Sequence, residues 1–142
     1  MACKIQKSSL VAVSPAGQAL IVGSPVSFNT VRLHTGSAIE FNEGGTTVNL
    51  KSAGLYLLIF DADFTITTSG AATFQLFDKG VAVLGAEDTV QATQAEPIGI
   101  HFATIIEVKP SCCAVDNSSA LQIQTTAVGN LINADVNIVK LA

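Results

Sequence analysis

The sequence predicts an all-β protein, an antiparallel two-sheet jelly-roll sandwich, on three observations. Apolar residues recur at every second position far more often than at the helical spacing of 3.6. Turn-forming clusters of Gly, Pro, Asn, Asp and Ser break the chain at short intervals, which favours a sandwich or jelly roll over a βαβ fold. No segment supplies the ten or more helical residues that a parallel crossover requires.

The strands follow in order. Residues 8–13 alternate up to the turn Ser14-Pro15-Ala16-Gly17, and residues 19–22 lead to Gly23-Ser24-Pro25. Strands over 26–32, 39–42 and 46–50 follow, the last two separated by Glu43-Gly44-Gly45. Residues 55–67 form the longest strand and end at Thr68-Ser69-Gly70. Residues 72–78 and 81–84 flank Asp78-Lys79-Gly80, a hairpin signal. Strands over 89–93, 98–108, 120–126 and 135–141 complete the set, with Asp116-Asn117-Ser118-Ser119 as a loop. The expected organisation is an N-terminal arm or strand over 1–24, serving anchoring or assembly, and a jelly-roll domain over 25–142.

The long strand carries the most information. Tyr56, Leu58, Phe60, Ala62, Phe64 and Ile66 share one face, and Leu55, Leu57, Ile59, Asp61, Asp63 and Thr65 share the other. A two-sheet core takes one face: Tyr56, Leu58, Phe60 and Phe64, joined by Phe74 from the next strand. Leu55, Leu57 and Ile59 then need a different cover, and a neighbouring subunit supplies it most simply. Val139 and Leu141 in the last strand extend that contact. Composition agrees, because only 13% of residues are charged against about 25% in ordinary soluble domains.

Several function classes are disfavoured. The net charge is −4 and the seven basic residues are scattered, so no nucleic-acid partner is expected. The longest apolar stretch, Leu55 to Phe60, is far below the roughly 18 residues of a spanning helix, so no membrane insertion is expected. The four apolar residues Leu10 to Val13 are too few for a Sec signal peptide, whose core takes about 7–15.

Candidate chemistry is sparse. His34 beside Thr35-Gly36-Ser37 reads as a loop residue, and His101 as a strand residue facing a sheet surface or the subunit contact. No nucleophile elbow, phosphate loop or paired-histidine metal motif is present, so neither catalysis nor a cofactor is expected. Asp61 and Asp63 share a face that a threefold axis could gather around Ca²⁺, but a solvated strand edge is the favoured account of them and no metal site is assigned. Cys3, Cys112 and Cys113 are the candidate cross-link. Adjacent cysteines strain a disulfide between themselves and are poorly spaced for zinc, which leaves free thiols or a bond from Cys3 to Cys112 or Cys113.

The order of features from Pro25 onward resembles the tumour-necrosis-factor-like jelly roll, which includes complement-type globular heads and bacterial spore-surface heads. PVSFNTV (25–31), VNLKSAGLYLLIFDADFTI (48–66), ATFQLFDKGVAV (72–83) and DVNIVKL (135–141) carry the resemblance. Gly54-Leu55-Tyr56 fits the family's Gly-x-Tyr at the start of a long core strand, and Asp78-Lys79-Gly80 its polar-Gly hairpin turn. A single Tyr, no Trp and no collagen stalk set the chain apart from animal members. It is more similar to the small stand-alone domains of Gram-positive bacteria and their bacteriophages. The resemblance implies a homotrimer with a structural role, the expectation being a bacteriophage capsid decoration or head-fibre subunit docked on its particle through the N-terminal segment. The localisation would be the virion surface. The alternatives are a bacterial cell- or spore-surface subunit, or a fibre head binding a glycan or receptor through residues 85–94 and 116–119.

Overall fold

A computed structural model describes residues 7–110 and 116–142. Eleven strands form among them, and no helix. They are β1 (Ser9–Ser14), β2 (Gln18–Leu20), β3 (Thr30–Thr35), β4 (Ile39–Glu40), β5 (Val48–Leu50) and β6 (Gly54–Ile66). The second half contributes β7 (Gly70–Asp78), β8 (Val81–Ala92), β9 (Pro97–Val108), β10 (Ser119–Thr125) and β11 (Gly129–Lys140). One sheet runs β3-β1-β11-β6-β9, with β2 also on β11, and the other runs β4-β5-β10-β7-β8. Every pairing is antiparallel. The architecture is the expected two-sheet jelly roll.

Period-two alternation produces the core directly. Every second residue of β6 is buried, from Tyr56 through Leu58, Phe60, Ala62 and Phe64 to Ile66. Phe74 of β7 meets them from the facing sheet, fully buried. Phe60 lies 5.3 Å from Phe102 and 6.1 Å from Phe74 between ring centroids, and Phe64 meets Phe74 edge-on at 5.3 Å. Such pairs contribute about 0.5–1.5 kcal/mol each beyond area burial. This ring cluster ties β6 and β9 to β7 across the sandwich.

Several boundaries differ from the sequence reading. Residues 81–84 and all but the last of 89–93 are parts of one strand, β8, because a bulge rather than a turn interrupts its pairing with β7. His34 belongs to strand β3, not to a loop, and its Nε2–H donates to the Ile39 carbonyl at 2.6 Å. Residues 9–14 take the strand alternative rather than the arm. β1 is an interior strand between β3 and β11, with Leu10 and Ala12 fully buried. The sandwich therefore includes residues well before position 25.

Both chain-terminal strands meet at one end of the sandwich. Lys140 N–H donates to the Ser8 carbonyl at 2.9 Å, and Leu55 N–H to the Ala142 carbonyl at 3.1 Å. The β7–β8 turn lies at this end too, with Lys79 and Gly80 at φ 50° and 81°, as a two-residue I′ hairpin requires. The connections β2–β3, β6–β7 and β10–β11 occupy the opposite end.

Candidate interaction surface

The outward face of the β3-β1-β11-β6-β9 sheet is built row by row from strand register. Leu33, Val11, Asn137, Ile59 and Ala103 form one row. Toward the termini the next row holds Thr35, Ser9, Val139, Leu57 and Ile105. Leu55 follows on β6, and its carbonyl accepts the Leu141 N–H at 2.7 Å. Leu33, Leu55, Ile59, Ile105, Val139 and Leu141 are each between 38% and 60% exposed. Leu57 among them is half-buried. A largely apolar face, interrupted by Asn137, Ser9 and Thr35, thus lies open on a sheet whose other face already fills the core. Leu55, Leu57, Ile59, Val139 and Leu141, named from sequence, all lie on it. Leu33, Val11 and Ile105 belong to the same face but were not named. β1 and β9 alternate with the right period, whereas in β3 a bulge between the Leu33 and Val31 pairings breaks it, and only the pairing order sets all three residues beside β6.

An acidic row bounds the apolar area. Val13, Asp135, Asp61 and His101 stand side by side on β1, β11, β6 and β9. His101 Nδ1–H donates to Asp61 Oδ1 at 2.7 Å, and the His101 backbone N–H donates to Asp88 Oδ2 at 3.0 Å. Asp135 sits beside Asp61; burial first, and the Asp61 charge second, push its carboxyl above the usual range, while Arg32 pulls the other way. Asp63 accepts instead from Asn133 Nδ2 at 3.1 Å.

This row holds two members of a catalytic triad without a third. Among the described residues no hydroxyl hydrogen-bonds the His101 imidazole. Its Nε2 lies over Gly99, 2.9 Å from where a β-carbon would stand. No three His, Cys, Asp or Glu side chains converge as metal ligands among the described residues. No helix among them is long and apolar enough to cross a membrane. Cys3, Cys112 and Cys113 lie outside the described residues.

The segments named for glycan or receptor contact are placed differently from expectation. Most of residues 85–94 lie in strand β8. Residues 116–119 lie at the same end as the chain-terminal strands: Lys79 Nζ donates to the Asp116 carbonyl, and Ser118 and Ser119 share a cleft with Glu107 and Lys109, just beyond the Gly54–Val108 pair. At the opposite end a shallow groove of about 400 Å³ runs between Val22, Ile66, Ala71 and Val128, floored by Thr67 and Thr126.

No family model and no curated protein sequence matches the chain. Solved structures do share its fold. The globular domain of zebrafish complement 1qA superposes with a TM-score of 0.72 at 13% identity, over 95% of this chain and 98% of that one. The Eiger TNF of S. frugiperda gives 0.67 at 12% identity, over 96% and 92%. The vertex protein P5 of PRD1 gives 0.59 at 11% identity, over 95% and 97%.

Proposed function

For a chain folded as a tumour-necrosis-factor-like jelly roll, we propose a non-enzymatic structural role: a subunit that assembles as a homotrimer and decorates a virion surface. The observation that carries this reading is the open apolar face centred on Leu57, Ile59 and Val139. Burial of apolar surface is worth about 25 cal/mol per Å², so a face of this kind gains more from a partner than from water. A second copy is the partner present wherever the chain itself is. The shared fold of the PRD1 vertex protein supports the virion setting in preference to the cell- or spore-surface alternative.

Attachment to the particle would use the segment preceding Ser9. It leaves the sandwich where the terminal strands meet, so the β2–β3, β6–β7 and β10–β11 connections would face outward. A receptor-binding head is the second reading, and it is favoured by the groove beside Val22 and Val128 at that outward end.

Native mass by light scattering, with and without reductant, tests the assembly. A mass near three times 14.6 kDa is expected. Leu57→Asp would place a charge in every contact and should yield monomers, whereas an intact Leu57→Asp trimer would show that this face is not the interface.

A further inference from the structure

Of the three titratable side chains in the acidic row, two are paired and one is not. His101 Nδ1–H donates to Asp61 Oδ1 at 2.7 Å, whereas Asp135 stands directly opposite Asp61, carboxyl beside carboxyl. Like charges set opposite each other destabilise a sheet. The one hydrogen bond to the Asp135 carboxyl among the described residues comes from Asn137 Nδ2, at a long 3.4 Å. On its other side β11 meets β1 and β2, neither of which carries a charged side chain.

The remaining charges nearby leave Asp135 unneutralised. Arg32 on β3, one strand beyond β1, attracts it but forms no ion pair with it. Asp63 accepts from Asn133 Nδ2, Asp88 accepts the His101 backbone N–H, and Glu43 accepts the Val31 N–H. This part of the face thus sets four carboxyls, Asp61, Asp63, Asp88 and Asp135, against one imidazole and one guanidinium.

Asp135 also lies within reach of any contact made on the apolar rows. Asp61, its row partner, follows Ile59 by two residues, about 7 Å along the strand. A stable contact takes about 800 Å² from each partner, a patch roughly 30 Å across. A copy seated on Leu57, Ile59 and Val139 therefore covers the half-buried Asp135 as well. Covered as a carboxylate, it would lose water with no counter-charge in exchange, which costs far more than covering the neutral acid. Covered as the acid, it becomes a donor with the Asp61 carboxylate as a neighbouring acceptor.

We infer that Asp135 is a proton-operated switch of assembly: covering the open face takes up one proton per chain at this carboxyl, so copies hold together more tightly in mildly acidic than in neutral solution. This rests on the self-assembly reading above and adds its regulation. In the free chain burial, and after it the Asp61 charge, already raises the Asp135 carboxyl, and removing more water acts in the same direction. Association is therefore strongest below the free chain's value and weakens as pH rises through the assembled one. One proton per chain changes a three-chain association constant by up to about a thousandfold per pH unit.

Sedimentation velocity on dilution series at pH 5 and pH 8 tests it, with near-ultraviolet circular dichroism checking the fold at both. The wild-type trimer should dissociate at a concentration at least about tenfold lower at pH 5 than at pH 8. Asp135→Asn, which keeps the shape of the neutral acid, should remove that difference and associate at pH 8 as tightly as the wild type at pH 5. Wild-type association that ignores pH, or a difference that survives Asp135→Asn, overturns the inference and leaves the self-assembly reading standing. A wild type that is monomeric at both pH values overturns that reading and takes the switch with it. If no dilution dissociates the wild type, the comparison is made in an Ile59→Ala background, where the contact is weaker. Should Asp135→Asn fail to fold, Asp135→Ser carries the same test.

Discussion

At Tyr56 a fully buried ring ends in a hydroxyl that donates to the Ser52 carbonyl at 2.6 Å. Burial pushes the phenol above its ordinary value of 10.0, so the donor persists well into alkaline solution. Tyr56→Phe should cost about 1 kcal/mol in urea unfolding, because Ser52 lies in an exposed turn where water can replace the lost donor. Asp135 gives a prediction of opposite sign. Its carboxyl is raised in the folded chain, so the folded state holds that proton more tightly than the unfolded state, where the ordinary value is about 3.9. Stability is fully present below that value and is lost as pH rises through the raised one. Asp135→Asn should therefore melt with the wild type near pH 3 and above it at pH 7; equal melting temperatures at both would remove the charge argument. Residue identity was legible from sequence where a side chain has one role, as at Tyr56 or Phe60. The crowding of Asp135 by Asp61 was not, because 74 positions separate two residues that only strand pairing makes neighbours.

Elements were legible to the extent that local periodicity defines them. β6 alternates for 13 residues, and its buried and open faces follow from period two alone. Its start depends on a long-range contact. Gly54 has φ 145°, and a β-carbon there would lie 2.0 Å from the Ala142 carbonyl oxygen. Gly54→Ala should destabilise the fold by about 1–3 kcal/mol and free the residues after Lys140 for carboxypeptidase. Unchanged trimming would show that the terminal pairing does not depend on Gly54. The sequence pattern divides β8 into 81–84 and 89–93; only the Gln75 bonds across the ladder hold the residues between as a bulge. β1 could not be placed from its own pattern, since an interior strand and a terminal arm can carry the same alternation.

For the whole molecule, the position of β1 changes what a truncation can mean. Removing residues 1–24 deletes Leu10, Ala12 and Leu20 from the core and strips β11 of a partner. That variant should fail to fold, whereas on the proposed role removal of residues 1–6 should leave a trimer that no longer docks on a particle. A short truncation that still decorates particles would place the attachment elsewhere. A doubly apolar β6 already predicted an apolar outer face, and alternation, turn chemistry and the absence of helical spacing already predicted a sandwich. These follow from local chemistry, because a strand's faces depend on its neighbours two residues away. The extent of the open face and the acidic row beside it came from pairing order. Each joins residues from three or more strands, and which strands lie side by side is settled by the packing of the whole chain around one aromatic core.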